Sequence, residues 1–402
     1  MTATTAGRAA DTRIAVVGGS IAGMTAAGLL REAGYQVDVY ERSPGPLSGL
    51  GTGIVVQPEL VRFLLERTPT TLEDISVPSS SMKYVDAASG SLIGETDDGW
   101  RFTSYNALYH RLLENFGLER YHFSCNLERV VDDGDQVSLD FSNGRRASAD
   151  LVVLADGGAS AGRRQLLGVT PEYAGYVTWR GLAELDALSA STREFFDDAF
   201  TYGLLNDGHL IAYPIPVVDA EGRTRRALNY QWYWNVPAGP ELDELMTDRN
   251  GVRRPTSVHH HDLRPEVLAE FHERARQRLT DTFVELLHAA REPFVTVIAD
   301  ADVPRMRVGR CLLIGDAAVT PRPHAAAGGA KAAADAWALV AALTDAGGDL
   351  EGALARWEAQ QLAVGRAYLQ KVRRMADTLQ HGGRFTPGDP TNRFGLPSVA
   401  AV

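Results

Sequence analysis

Cysteine is almost missing from this chain of 402 residues, which has only Cys125 and Cys311, far apart in sequence. Two such thiols exclude a disulfide framework and a cysteine-ligated metal site, and they suit a reducing compartment. Basic residues are in deficit, with 40 Lys and Arg against 51 Asp and Glu and a net charge of −11. A general nucleic-acid surface is therefore excluded, because neutralising phosphates needs a basic face. No apolar run approaches the roughly 20 residues of a membrane-spanning helix. The leading MTATTAGRAADTR lacks the apolar core of a secretion signal. The expectation is a cytoplasmic protein with no membrane partner. Internal repeats and low-complexity linkers are also missing. The one histidine cluster, HHHD at 259–262, sits in a polar segment and reads as a surface loop, so no metal is expected.

What is present is glycine, 39 residues of it, in a chain of otherwise ordinary globular composition. Many glycines favour tight turns and close backbone approach to a ligand. RIAVVGGSIAGMTAAGLLREAGYQVDVYER, residues 13–42, reads as buried strand, helix and second strand. Gly18, Ser20 and Gly23 fill a G-x-G-x-x-G fingerprint with serine in the middle position. Such a turn presents amides around Ser20, Ile21 and Ala22 to a pyrophosphate. Glu41 ends the second strand, where a carboxylate can accept from ribose hydroxyls, and Arg42 beside it suits the adenosine side.

Farther on, ADGGASAGR (155–163) follows a buried strand. Asp156, Gly157, Ser160 and Arg163 then fit D-G-x-x-S-x-x-R; the plainer alternative is a turn followed by a solvated arginine. From 170 to 300 the pattern alternates and is rich in aromatics, which predicts an antiparallel sheet, with one helix over 265–290. His209 and Tyr213 share one face of HLIAYP. In NYQWYWN, Tyr230, Trp232 and Trp234 share one face and Gln231 and Tyr233 the other; either can be core or pocket wall. The strand CLLIG then ends at Asp316, which opens GDAAVTPRPHAAAGGAKAAADA, and long helices follow to about 380.

Taken in order, the fingerprint, the D-G motif and a G-D motif followed by proline resemble the flavoprotein aromatic hydroxylases. These are FAD-dependent monooxygenases similar to para-hydroxybenzoate hydroxylase, and the likeness covers residues 12–345. It implies an α/β fold: a Rossmann-like FAD-binding domain, an inserted substrate domain with a mixed or antiparallel β-sheet, and long C-terminal helices. The expected division is 12–170 with 301–345 for FAD, 171–300 with part of 75–105 for substrate, and 346–402 as a helical region and tail. Further blocks, among them SPGPLSGLGTGIVVQPEL and YAGYVTWRG, narrow the resemblance to members that hydroxylate hydroxypyridines in bacterial nicotine breakdown.

The resemblance also implies roles. Asp316 contacts the ribityl chain of FAD, and Asp156 holds the region where FAD meets NADH or NADPH. Ala326, Gly328 and Gly329 let backbone amides approach the flavin. Pro323 lies near the reacting oxygen, and His324, followed by His209 and Tyr213, is the candidate to take the substrate's hydroxyl proton. Three departures stand out. Val319 replaces a family histidine, Ala326, Gly328 and Ala330 fall in a G-x-G-x-N region, and Tyr105 replaces an arginine that helps bind FAD. Gln57 or Arg42 is the expected substitute for the lost bonds. No second glycine fingerprint exists, so the nicotinamide donor binds transiently. The implied reaction uses O2 to hydroxylate a small aromatic or pyridine ring, and a homodimer is the family expectation. Three rivals remain: the same chemistry on another hydroxypyridine or phenol, a flavin reductase or oxidase that inserts no oxygen, and an FAD-binding regulator.

Overall fold

The computed structural model describes residues 10–47, 53–218, 224–346, 349–382 and 385–398. Its first layer is a six-stranded sheet. The order is Arg307–Val308, Cys311–Leu313, Leu151–Leu154, Arg13–Val17, Gln36–Tyr40 and Tyr121–His122, parallel except for the first pair. The central strands are short, apolar and buried on both faces, as parallel strands covered by helices must be. Helix Ile21–Glu32 packs beside helix Gly328–Thr344, so the fingerprint and the G-D segment start neighbouring helices over one sheet.

The fingerprint glycines are steric necessities. Gly18 has φ +99°, and a Cβ there would lie 2.3 Å from the Ala155 carbonyl oxygen. A Cβ on Gly23 would lie 1.8 Å from the Gly18 carbonyl oxygen.

An eight-stranded sheet forms the second layer. It runs Ser257–Val258, Phe294–Asp300, Glu172–Glu184, Thr224–Asn235, Gly208–Val218, Ala199–Leu205, Ser81–Asp86 and Leu92–Thr96. Its pairs are antiparallel except Ala199–Leu205 with Ser81–Asp86. The face question in NYQWYWN is settled by packing. Trp232 and Trp234 join Trp179 against Phe271 of helix Pro265–Arg278, with Trp179 and Phe271 stacked at 4.4 Å. Tyr230 belongs to the same buried cluster. Gln231 and Tyr233 therefore face the opposite side, towards the first layer.

One expectation is corrected and one open alternative is closed. Residues 265–290 form two helices, Pro265–Arg278 and Asp281–Ala289. Leu279 is extended and buried, and the Thr280 amide donates to Ala87 O at 3.0 Å, a tertiary bond that replaces the helical one. Nor is Arg163 solvated: its exposure is 0 %. Cys125 and Cys311 are both free and buried. No helix among the described residues is long and apolar enough to cross a membrane. Helix Leu350–Gln380 runs along the back of the G-D segment and touches the second sheet.

Candidate active site

Two cavities meet at the fingerprint. One, of about 650 Å³, is bounded by Gly18, Glu41, Arg42, Tyr105 and Asp156. The other, of about 470 Å³, lies between the second sheet and the start of helix Gly328–Thr344. Ser20, Ala155 and Gly157 line both, which makes one trough with two ends. Ser20 stands at the N-terminus of its helix, whose first amides have no helical acceptors. A Cβ on Gly157 would meet no protein atom within 4 Å. The trough thus offers a dinucleotide free amides at its waist and room at each end.

At the first end, Glu41 is 4 % exposed and braces the loop. It accepts from the Gly19 amide at 2.8 Å and the Ser43 amide at 2.9 Å. Each of its oxygens keeps a lone pair for a ribose hydroxyl. Tyr105 shares a 2.8 Å hydrogen bond with Ser20 Oγ. Burial pushes its phenol above the usual range, so it stays neutral. Arg42 lines this end, whereas Gln57 lines neither cavity; it is buried and its Nε2 has no partner among the described residues. Removing the Tyr105 hydroxyl in Tyr105→Phe should cost about 0.5–1.5 kcal/mol. That predicts FAD binding weakened roughly two- to tenfold, readable by titrating apoprotein against flavin fluorescence.

Between the ends, buried polar groups hold the two loops in register. Asp156 accepts from Ser160 Oγ at 2.5 Å and from the Gly162 amide at 3.1 Å, capping helix Ala161–Leu167. Arg163 reaches from that helix to the other loop. It donates to Asp316 O at 2.9 Å, Ala317 O at 3.3 Å and Thr320 Oγ1 at 3.1 Å, and also to Gly158 O. Behind the G-D motif, Lys331 and Asp335 pair at 2.7 Å, both wholly buried. Asp335 accepts from the Gly315 amide at 2.8 Å, and Lys331 donates to Gly315 O at 3.2 Å. Gly315, at φ +59°, is gripped by both of its polar groups. Asp316 is thereby placed on the trough wall. Desolvation pushes its carboxyl above the usual range, opposed by Lys331 and Arg163.

The second end is floored by the sheet and roofed by the segment 320–329. Ala326 takes a left-handed conformation, φ 51°, and Gly328 and Gly329 open the helix at the cavity. The Tyr368 hydroxyl accepts from the Ala327 amide at 2.9 Å, which fixes this turn. His324, 5 % exposed, meets Tyr176 OH through Nε2 at 2.7 Å, while its Nδ1 has no partner among the described residues. Burial, with Arg322 nearby, lowers its pKa to about 3. His209 is held by Gln380 at 3.1 Å and stacks on Tyr233 at 4.3 Å; burial lowers its pKa as well. The ring centroids of His209 and His324 are 5.3 Å apart. Tyr233 donates to Gln231 Oε1 at 2.8 Å, and Gln231 Nε2 reaches Tyr213 OH at 3.5 Å.

The structure therefore brings His209, Tyr213, Pro323 and His324 to one end of the trough, with Asp316, Ala326, Gly328 and Gly329 beside them. Gly18, Glu41, Arg42 and Asp156 stand at the other, and Ser20, with Ile21 and Ala22, at the junction. Sequence reasoning missed Arg180, which also lines the second cavity, and the Lys331–Asp335 pair. Strand alternation was the available signal for Arg180, since Trp179 beside it packs into the core on the other face.

A trough with a glycine fingerprint at its waist, ending in a sheet-floored pocket of polar and aromatic side chains, fits a dinucleotide-binding enzyme with a separate substrate pocket. Comparisons with known proteins agree: the chain belongs to the FAD-dependent aromatic-ring monooxygenases. An NAD(P)-binding Rossmann-like domain matches residues 16–81, and an FAD binding domain-like family matches residues 173–300. The chain is 58 % identical over 387 residues to the 2,6-dihydroxypyridine 3-monooxygenase of Paenarthrobacter nicotinovorans, covering 96 % of each. The solved 2,6-dihydroxypyridine-3-hydroxylase of Arthrobacter nicotinovorans superposes with a TM-score of 0.94 at 57 % identity, covering 97 % of this chain and 98 % of that one. The FAD-dependent urate hydroxylase of Klebsiella pneumoniae is 30 % identical over 91 % of this chain and 90 % of its own.

Proposed function

We propose that this monooxygenase hydroxylates 2,6-dihydroxypyridine at C3 to give 2,3,6-trihydroxypyridine, with NADH or NADPH as reductant. The reaction balances as ring C–H, O2, NAD(P)H and a proton going to ring C–OH, NAD(P)⁺ and water. The near full-length 58 % identity to a 2,6-dihydroxypyridine 3-monooxygenase carries this reading. Held by the fingerprint amides, Glu41 and Asp316, FAD would supply the redox chemistry: hydride acceptance and activation of O2 for transfer to the ring.

The chain's own residues position and exclude. Ser20, Ile21 and Ala22 offer amides to the pyrophosphate, with Gly18 and Gly23 permitting the approach. Glu41 and Arg42 hold the adenosine side, Asp316 takes the ribityl hydroxyls, and Asp156 sets the loop between the ends. Gln57 lines neither end of the trough, so Arg42 is left as the substitute for the lost arginine bonds. Ala326, Gly328 and Gly329 present backbone to the flavin ring at a helix start, where the dipole favours negative charge. Pro323 shapes the wall beside the reacting oxygen. The aromatic walls keep the pocket dry, which protects an activated oxygen from water. In the proposed division, 12–170 with 301–345 binds FAD, 171–300 with part of 75–105 binds the ring, and 346–402 closes the back. A homodimer is the family expectation, and the cytoplasm is the compartment that the sparse, unpaired cysteines suit.

His324 does not titrate near neutrality, so it serves as a neutral hydrogen-bond partner to the ring. Tyr213 and His209 take the same part across the pocket. His324→Leu should lower kcat/KM about tenfold, the value of one lost hydrogen bond at roughly 1.4 kcal/mol. The wild-type rate profile should show no limb from this histidine in the neutral range, because a pKa of about 3 leaves it uncharged there. The reading as a whole is tested by stopped-flow reduction of the holoenzyme with and without 2,6-dihydroxypyridine, and by the mass of the product. Acceleration with product heavier by one oxygen supports it. Peroxide released at full yield with no hydroxylated ring would replace it with an oxidase.

A further inference from the structure

We infer that Arg180 is the anion-recognising residue of the ring pocket, so that substrate is taken as a ring already carrying a negative charge. This rests on the reading that the second cavity holds the ring. Arg180 lies in strand Glu172–Glu184, opposite Gln231 of one neighbouring strand and Phe294 of the other. It lines the cavity floor with Tyr213, Gln231 and Tyr233.

Among the described residues the Arg180 side chain makes no hydrogen bond or ion pair, and its Nε is buried without a partner. The other arginines nearby are matched. Arg322 is held by Asp300 at 2.6 Å, and Arg163 by the carbonyls of the two loops. A partly buried guanidinium with nothing to neutralise it is costly, and an entering anion offsets that cost. Its planar fork suits two adjacent acceptors, such as the ring nitrogen and oxygen of a hydroxypyridine anion.

The groups facing Arg180 point the same way. Burial pushes the phenols of Tyr213 and Tyr233 upward against the lowering pull of Arg180, the latter to about 12, so both are neutral. His209 and His324 are neutral too, for the reason already given. Asp316 is the one carboxylate among the described lining residues, and Lys331 and Arg163 face it from behind. Nothing in the pocket is therefore poised to pull a proton from a neutral ring near neutral pH. A ring that arrives deprotonated needs no such base, and its extra electron density is what an electrophilic oxygen requires.

The test uses holoenzyme with Arg180→Gln and Arg180→Lys. Binding is followed by flavin absorbance with two probes, 2,6-dihydroxypyridine and the non-ionisable 2,6-dimethoxypyridine. The ultraviolet spectrum of the bound dihydroxypyridine reports its ionisation against pH. In the wild type the bound ring should show its anion spectrum and a lowered apparent pKa. Arg180→Gln should weaken dihydroxypyridine about 10- to 100-fold, the range for a hydrogen bond between charged groups, and raise that apparent pKa. Dimethoxypyridine should change less than about twofold, and Arg180→Lys should recover part of the loss. Equal losses for both probes, a neutral bound ring in the wild type, or release of FAD from Arg180→Gln would each overturn the inference. Wild-type hydroxylation of dihydroxypyridine with affinity independent of Arg180 would overturn it and leave the substrate assignment standing. Arg180-dependent binding of ring anions with no hydroxylation of dihydroxypyridine would support it and overturn the substrate assignment.

Discussion

Gly23→Ala is expected to purify as a colourless protein. The new Cβ would sit 1.8 Å from Gly18 O and 3.0 Å from Gly18 C, both backbone atoms. Neither partner can yield. The Gly18 amide donates to Tyr40 O at 2.8 Å, and its own Cα faces the Ala155 carbonyl closely enough to exclude a side chain. Relief requires the helix start to withdraw from the loop, which carries the free amides away from the pyrophosphate. Two or more charge-assisted hydrogen bonds are lost, each worth about 1.5–3 kcal/mol, so FAD affinity should fall at least about a hundredfold. The ratio of flavin to protein absorbance, followed by titration with added FAD, measures it. Flavin retained at wild-type stoichiometry and affinity would show that this glycine does not set the approach.

That fingerprint was legible because its chemistry is backbone chemistry. A residue without a Cβ at fixed spacing between a strand and a helix leaves a mark in the sequence itself. The alternation of 208–218 was legible for a similar reason, and His209 and Tyr213 share the cavity face. The choice between the two faces of 230–234 was not, because both carry aromatics. Phe271, some 40 residues away in the chain, decided it by packing on Trp179. The break at Leu279–Thr280 depends on a bond to Ala87 from a distant strand, and no local signal marks it. Arg163, Lys331 and Asp335 look like surface residues by type, and only the stacking of helices over the sheet buries them. Burial also overrides the ordinary expectation for His324. Residue identity gives a histidine that titrates near neutrality, but its surroundings remove that property. The segment SPGPLSGLGTGIVVQPEL is only partly accounted for, since 48–52 lie outside the described residues.

Lys331→Met should be the most destabilising single change in the G-D region. It removes the cation that pairs with Asp335 Oδ2 among the described residues; the Asp335 carboxylate is wholly buried, and its Oδ1 has no partner among those residues. Breaking one side of a buried pair typically costs about 3–5 kcal/mol, because a charge is left without compensation. Replacing both residues, as in Lys331→Met with Asp335→Leu, removes the stranded charge and should recover much of that loss. The recovery will be incomplete in FAD affinity, since the Gly315 amide and carbonyl lose their partners together and Asp316 is no longer fixed. The pH dependence has a definite sign. Burial already pushes the Asp335 carboxyl above its ordinary 3.8, and Lys331 opposes that rise; without the lysine it climbs further. A carboxyl raised in the folded state is stabilised by its proton, so stability falls as pH rises from about 4 through the folded value. The deficit of Lys331→Met should thus be smaller in mild acid than at neutral pH. Denaturant midpoints of wild type, single and double variants at both pH values measure it. A double variant as unstable as the single one would move the cause from the stranded charge to the loss of the grip on Gly315.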